Sequence, residues 1–263
     1  DKNLNQPLYS LGITGVFTKD LDIALLNNEI DIAVHSLKDV PTILPQNIEV
    51  SAVLERDFPQ DVLVRKSSSK NKNLAELKIA TSSLRRRAFW SEKFPNTQFS
   101  DIRGNVQTRL KKLEEGDFDA TLFSLAGIKR MEMELEYEML DFMISAPSQG
   151  VVAISSRVDD VETKAILQKI NHKTTQICVE IERNFLRTLE GGCTAPIGAI
   201  AVFEENKIKF SGRLNSLDGS KTINVVEEFE YDDSENYGKK FAEFVLENGG
   251  KEMMEEIKKQ IKE

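Results

Sequence analysis

Arginine stands at two junctions where a short β-branched run gives way to a helical pattern. The first is Thr81-Ser82-Ser83-Leu84-Arg85-Arg86-Arg87; the second is Arg103-Gly104-Asn105, with Arg109 one helical turn further on. The free N–H groups and positive end of a helix N-terminus bind anions, and nearby hydroxyls add donors. Arginine makes paired bonds to carboxylates. Arg85, Arg86, Arg103 and Arg109 converging at strand ends therefore point to a ligand with several carboxylates or phosphates. Taken singly, either segment also reads as a solvated basic helix face.

His35-Ser36-Leu37-Lys38-Asp39-Val40-Pro41 lies where a short apolar strand runs into a loop. A carboxylate beside a lysine at such a place serves as a general base or stabilises a developing cation. The plainer reading is a turn in which Asp39 caps a backbone group. His35 by itself reads as a hydrogen-bonded histidine at the core edge. A third segment, Glu190-Gly191-Gly192-Cys193-Thr194-Ala195-Pro196-Ile197-Gly198, sets a cysteine on a glycine-rich loop after a helix. The end of a helix is electronegative and does not acidify a thiol, and no histidine is near in sequence to act as base. That leaves Cys193 as a buried thiol or as an attachment point beside which the glycines make room. Cys178, between Ile177 and Val179 in a helical stretch, reads as core.

The elements that position these residues alternate. Apolar short runs at 31–35, 48–54, 62–64, 78–81, 98–103 and 120–125 read as strands; 18–26, 83–94, 105–115 and 128–140 read as helices. Such β-α-β-α order predicts parallel sheets covered by helices. A lone strand at 151–155 and helices at 161–170 and 174–189 follow. The pattern then changes to strands at 200–203, 207–214 and 222–230, joined by short turns and so antiparallel, with a charged helix from 234 to 262 broken at Gly249-Gly250. The organisation is two α/β units and a smaller α+β unit.

The chain has 263 residues, enough for two or three domains, and is 40% hydrophobic and 30% charged. With 35 Lys and Arg against 43 Asp and Glu, its net charge is −8, which opposes a general nucleic-acid or anionic-membrane binder. Any anion it binds must be held by a local arginine cluster. Its two cysteines and two histidines supply neither a disulfide framework nor a multi-ligand zinc site. No apolar run approaches the length of a membrane span, and a cytosolic protein is the default.

The segments HSLKDVP (35–41), ATSSLRRR (80–87), IRGNVQTRL (102–110), AGIKRM (126–131), PSQGVVAI (147–154) and LEGGCTAPIG (189–198) together resemble the porphobilinogen deaminase, or hydroxymethylbilane synthase, family, in order and spacing over essentially the whole chain. The resemblance implies an α/β protein: two periplasmic-binding-protein-like α/β domains plus a small α+β C-terminal domain with a three-stranded antiparallel sheet. Here these fall at 1–57 with 149–170, at 58–148, and at 171–263. It implies a transferase of tetrapyrrole and haem biosynthesis that joins four porphobilinogen molecules head to tail, releases four ammonia and frees hydroxymethylbilane by hydrolysis. A dipyrromethane cofactor, bound by a thioether to Cys193, would serve as primer.

By the same resemblance Asp39 is the catalytic aspartate, stabilising the cation that forms when ammonia leaves and relaying protons. Arg85, Arg86, Arg103 and Arg109 match the arginines that hold acetate and propionate groups, Arg103 and Arg109 on the substrate side. Ser36, Lys38, Thr81, Ser83, Gly104 and Gln149 match positions near cofactor or substrate. A cytoplasmic monomer is implied, with porphobilinogen as its partner and no nucleic acid, membrane or metal.

Three departures from the family pattern stand out. The family begins several tens of residues earlier, so a further N-terminal segment is expected to complete the first sheet. Lysines of the loop before Gly15-Val16-Phe17 are replaced by Ser10 and Thr14, and a substrate-binding arginine falls on or near Glu136. A non-catalytic, two-lobed polycarboxylate-binding protein is the alternative. It accounts for the arginines and the lobes, but not for the Cys193 loop or the third unit.

Overall fold

A computed structural model describes residues 18–189 and 195–262; Ser10, Thr14 and Cys193 lie outside the described residues. In chain order the first elements are α1 (Lys19–Leu26), β1 (Ala33–Ser36) and β2 (Ile48–Val53). The second unit holds β3 (Asp61–Arg65), β4 (Ile79–Ala80), α2 (Leu84–Lys93), β5 (Phe99–Ser100), α3 (Val106–Glu115), β6 (Ala120–Ser124), α4 (Leu125–Lys129) and β7 (Glu138–Met139). The chain returns through β8 (Val152–Arg157), α5 (Val161–Leu167) and α6 (Lys173–Thr188). It ends in β9 (Ile197–Glu204), β10 (Lys207–Asn215), β11 (Thr222–Glu230), α7 (Tyr237–Val245) and α8 (Lys251–Lys262).

The described residues form the α/β architecture read from the sequence, but strand direction differs from the expectation. In the first sheet β8 lies between β1 and β2 and is antiparallel to both, with Ala33 opposite Ser155 and Ile48 opposite Arg157. The second sheet, ordered β5-β4-β6-β3-β7, is mixed: β4 is parallel to β5 and β6, whereas β3 is antiparallel to β6 and β7. The reason is connectivity. β3 enters the second sheet and β8 leaves it as crossings between units, so neither is bound by the strand–helix–strand rule that makes neighbours parallel.

Alternation along β3 and β6 splits the second unit's core between two faces. Leu63 and Leu122 pack with Ile79, Phe89 and Trp90 under α2, while Val62, Val64 and Phe123 pack with Leu113 and Ile128 under α3 and α4. In the first sheet Leu25 of α1 covers Ala33 and Ile48, and Val179 of α6 packs with Leu37, Val53 and Ala153. The third sheet is antiparallel in the order β11-β10-β9, its core built on Phe185, Phe210 and Phe241. Glu205 and Asn206 both take positive φ, 47° and 70°, the backbone that a two-residue hairpin turn requires.

Several local expectations are corrected. The helix foreseen at 128–140 ends at Lys129; Glu132 turns the chain at φ 52°, and 133–139 runs extended to pair β7 with β3. Met133, Leu135 and Tyr137 alternate with Glu134, Glu136 and Glu138, and this period of two lets the three apolar side chains pack on the core as an extended segment. The strand foreseen at 98–103 shortens to two residues because the Ile102 N–H donates to Ser82 Oγ at 3.1 Å in place of a ladder bond. Thr18 flanks α1 without a side-chain cap, its Oγ1 donating to Asp22 at 2.9 Å. The terminal helix does break where foreseen, Gly249 taking φ 98°.

Candidate functional site

The two arginine segments open helices as their spacing foretold. Ser83 caps α2, its Oγ accepting from Arg86 N–H at 3.4 Å, and Asn105 caps α3, its Oδ1 accepting from Thr108 N–H at 2.8 Å. Thr81 is buried at the end of β4; its Oγ1 accepts from Ser83 N–H at 3.3 Å. Gly104 takes φ +118°, and a Cβ there would lie 2.7 Å from Thr108 Cγ2, so this approach to α3 admits no side chain.

Arg85 and Arg86 do not extend along a solvated face. Both are buried, and both turn onto Asp61 at the start of β3. Arg85 Nη1 donates to Asp61 Oδ2 at 2.6 Å and to the Ile144 carbonyl at 2.7 Å. Arg86 donates to Asp61 Oδ1 through Nε at 3.0 Å and Nη2 at 2.8 Å, and to the Leu122 carbonyl through Nη1 at 2.8 Å. Burial alone would push the Asp61 carboxyl up, but the charges and hydrogen bonds of Arg85 and Arg86 hold it well below the usual carboxylate range.

Gln149 extends this cluster toward the first unit. Its Nε2 donates to the Pro59 carbonyl at 2.6 Å and to Asp61 Oδ1 at 3.2 Å, while its Oε1 accepts from Lys38 Nζ at 3.3 Å. Ser36, half-buried, ends β1, and Lys38 and Asp39 sit on the single 3-10 turn Leu37–Asp39 that follows. Burial, with the nearby Arg86 cation, pushes Lys38 down to about 8, against the pull of Asp39 and Asp61. Asp39 is accessible to solvent, yet the surrounding protein desolvates its carboxyl and pushes it up, while Lys38, Arg86 and His35 pull it down. His35 differs from expectation: its Nε2 is buried with no hydrogen-bond partner among the described residues.

Arg109 completes the cluster from α3. Its Nη2 donates to the Leu122 carbonyl at 2.6 Å, the acceptor that Arg86 also uses, and to Thr121 Oγ1 at 3.1 Å. Its guanidinium lies over the Phe123 ring at 4.2 Å. Burial and the Arg86 cation push it down to about 9, and its Nε is buried with no partner among the described residues. Arg103 lies half-buried between β5 and α3, and its carbonyl accepts from Lys112 Nζ at 3.0 Å. Glu136 pairs with Lys70, both on the surface.

Sequence reasoning missed three groups that hold this cluster. Asp61 is the anion at its centre. Glu182 of α6 is fully buried and accepts from Arg56 Nη2 at 2.6 Å, Ser148 N–H at 2.6 Å and Ala201 N–H at 2.8 Å. Arg56 also donates to the Gln149 carbonyl at 3.0 Å, so this pair fixes the return segment on which Gln149 sits. Backbone conformation marks the same segment: Ser148 takes φ 66° and Gly150 φ 86°, and a Cβ on Gly150 would lie 3.0 Å from the Asp57 carbonyl. Cys178 is buried as expected, and burial together with Glu182 pushes its thiol up to about 12.

Comparison with known proteins places these residues in a family context. Residues 1–165 match the family model described as porphobilinogen deaminase, dipyromethane cofactor binding domain, and residues 176–247 match that of the porphobilinogen deaminase C-terminal domain. The chain is 49% identical over 208 residues to the "Probable porphobilinogen deaminase" of Methanocaldococcus jannaschii, covering 78% of this chain and 70% of that one. It is 40% identical over 262 residues to the porphobilinogen deaminase of Desulfitobacterium hafniense, covering 98% and 84%. Among solved structures it is similar to an arginine transport system periplasmic binding protein from Legionella pneumophila, with a TM-score of 0.32 and 19% identity over 57% of this chain and 69% of that one.

Proposed function

The chain belongs to the porphobilinogen deaminase family, and we infer from the charge balance of its arginine cluster how it carries out that family's reaction. It is a transferase, hydroxymethylbilane synthase, of tetrapyrrole and haem biosynthesis. It joins four porphobilinogen molecules head to tail, with release of ammonia, into hydroxymethylbilane on a covalently bound dipyrromethane primer. Membership over both matched segments displaces the reading as a non-catalytic polycarboxylate-binding protein.

One observation carries the site assignment. Arg86 and Arg109 donate to the same Leu122 carbonyl, and the Arg109 Nε is buried without a partner among the described residues. Two like charges held so close, with a donor left over, suit a ligand that brings carboxylates. A dipyrromethane with acetate and propionate groups fits that requirement. Arg85, Arg86, Arg103 and Arg109, with Ser36, Lys38, Thr81, Ser83, Gly104 and Gln149, would hold it and the substrate, and Cys193 would anchor it. When bound, the group supplies a fixed pyrrole to which each new unit is joined.

The protein's own part is positional and electrostatic. Lys38 offers a cation to a carboxylate at the end of its reach from Gln149. Asp39, on the next position of the same turn, places an anion where positive charge develops on porphobilinogen as ammonia departs, and takes part in moving the proton. Gln149 keeps Lys38 and Asp61 in register, so the cation beside Asp39 does not collapse onto it.

We assign 1–57 with 149–170, 58–148 and 171–263 as domains, a division supported by the separate sheets and cores. We further read the working protein as a cytoplasmic monomer with no nucleic-acid or membrane partner. The net charge of −8 and the few cysteines support that reading. No helix among the described residues is long and apolar enough to cross a membrane. Intact mass spectrometry of the purified chain, with ammonia release on adding porphobilinogen, tests the whole assignment. The expected result is a covalent dipyrromethane increment that Cys193→Ser abolishes and Cys178→Ser does not. A chain that consumes porphobilinogen without such an increment overturns the attachment, and a loaded chain that releases no ammonia overturns the transferase.

A further inference from the structure

We propose that Arg183 is a positioning residue for Asp39: from α6 it holds, through main-chain carbonyls, the turn that carries Lys38 and Asp39. Arg183 Nη1 donates to the Leu37 carbonyl at 3.4 Å and the Val40 carbonyl at 3.0 Å, and Nη2 donates to the Pro41 carbonyl at 2.5 Å. Arg187, one turn along α6, adds a bond to the Thr42 carbonyl at 2.7 Å. The acceptors are Leu37 and then Val40, Pro41 and Thr42 in succession, and so flank Lys38 and Asp39 on both sides.

This arrangement is costly by itself, which is why it calls for a function. Burial and the neighbouring Arg187 cation push Arg183 down to about 10, and the bonds described for its guanidinium all go to neutral carbonyls. A partly buried charge without a carboxylate partner is poor stabilisation. A planar fork that reaches several carbonyls at once is, however, a strong geometric restraint. Packing holds the inner side of the turn through Leu37 and Val40, buried with Val53 and Val179, and leaves the carbonyls at Val40 and Pro41 to a donor. A cavity of about 80 Å³ lined by Leu37, Val50, Val53, Val179 and Arg183 adjoins this contact. On its other side the turn is tied by Leu37 N–H to the Val151 carbonyl at 2.9 Å. Arg183 sets the remaining degree of freedom.

The adjacent residue doubles the effect. Glu182 holds Ser148 and Arg56, and through them the Gln149 segment, while Arg183 holds 37–41. Two successive positions of one helix therefore fix the two sides from which Lys38 and Gln149 meet. The same helix leads into 190–194, which contains Cys193.

The proposal rests on the functional reading above, and its test separates the two. Full-length Arg183→Gln and Arg183→Lys are compared with wild type for cofactor load by intact mass, for kcat and KM with porphobilinogen, and for amide hydrogen exchange at 37–42. Arg183→Gln should keep its cofactor and lose on the order of 10- to 10²-fold in kcat, as misplacement of a catalytic group does. KM should change by less than about threefold, because the carboxylate-holding arginines are untouched. Exchange at 37–42 should quicken, and Arg183→Lys should recover part of kcat. A wild-type kcat in loaded Arg183→Gln, or a loss that only tracks missing cofactor, overturns the proposal. Should Arg183→Gln fail to fold, the same readouts on Arg183→Lys decide it, wild-type kcat and exchange there being the refuting result. A wild-type chain that consumes no porphobilinogen overturns the functional reading instead, and exchange at 37–42 then decides the restraint alone.

Discussion

Two donors of Arg86, Nε and Nη2, close on a single oxygen of Asp61, Oδ1, at 3.0 and 2.8 Å. Asp61 Oδ2 is left to Arg85, at 2.6 Å. The third nitrogen of Arg86 is engaged by Leu122, whereas Arg85 makes both its described hydrogen bonds through Nη1. Adjacent in sequence and both buried, the two arginines therefore differ in role: Arg86 has all three nitrogens bonded to the protein, and Arg85 keeps more of its donors for a ligand.

Arg86→Lys should accordingly lower thermal stability more than Arg85→Lys, since a lysine cannot reproduce the fork on Asp61 and Leu122. Arg85→Lys should fold well but carry less dipyrromethane. Thermal melts and intact masses of the two variants check this. Equal melting temperatures with equal loading would remove the distinction.

Asp61→Asn should destabilise the fold by about 3–5 kcal/mol at neutral pH, the usual result of stranding buried cations. The pH dependence has a definite sign. The Asp61 carboxyl is held low in the folded chain, so its contribution is fully present above the ordinary carboxylate value of about 4 and is lost as pH falls through the folded value. Denaturant melts of wild type and Asp61→Asn should therefore converge below about pH 4. A constant gap down to pH 2 would contradict the assignment.

Lys38 is pushed down to about 8 from an ordinary 10.5. In the folded chain it loses its proton first, so between those values the unfolded chain binds more protons and stability from this group rises with pH. Catalysis should move the other way, because neutral Lys38 no longer attracts a carboxylate. The kcat/KM profile is expected to fall above about pH 8, and Lys38→Arg should shift that limb upward. A limb that stays in place in Lys38→Arg would assign it to another group.

Asp39→Ala should retain cofactor and fold while losing on the order of 10²-fold or more in turnover, and Asp39→Glu should be intermediate. Steady-state rates on variants matched for cofactor load measure this. Near-wild-type turnover in a loaded Asp39→Ala chain would refute the role.

The parts of the site legible in the sequence were those with local causes. Arg85 and Arg86 announce themselves because a strand, two hydroxyls and a helix start are consecutive, and Ser83 and Asn105 cap where their types indicate. Asp61 gives no such signal. It looks like the polar end of an apolar strand, and its meaning comes from residues on α2 and the return segment. Glu182 and Arg183 read as surface charges of an amphipathic helix until packing against the first unit buries one and engages the other. The segment 133–138 carried its period of two in plain view, but the helical start at Leu125 obscured where that period began. Strand direction was illegible because it depends on β8 in the first sheet and on β3 in the second, both of which pair with strands far away in sequence.

That placement of β8 bears on how the protein is made. The strand lies between β1 and β2, yet the chain reaches it only after the whole second unit. As the polypeptide leaves the ribosome, β1 and β2 emerge without the strand that joins them and present unpaired edges. The second unit, contiguous in sequence, is expected to close first. Protease digestion of nascent chains stalled before Val152 should leave that unit intact and cut within 33–53. The Leu37 N–H also waits for the Val151 carbonyl, so the turn bearing Asp39 takes its shape late in synthesis. An unfinished chain lacks the support for Lys38 and Asp39, because the bond that ties their turn to the return segment cannot form until that segment has been translated.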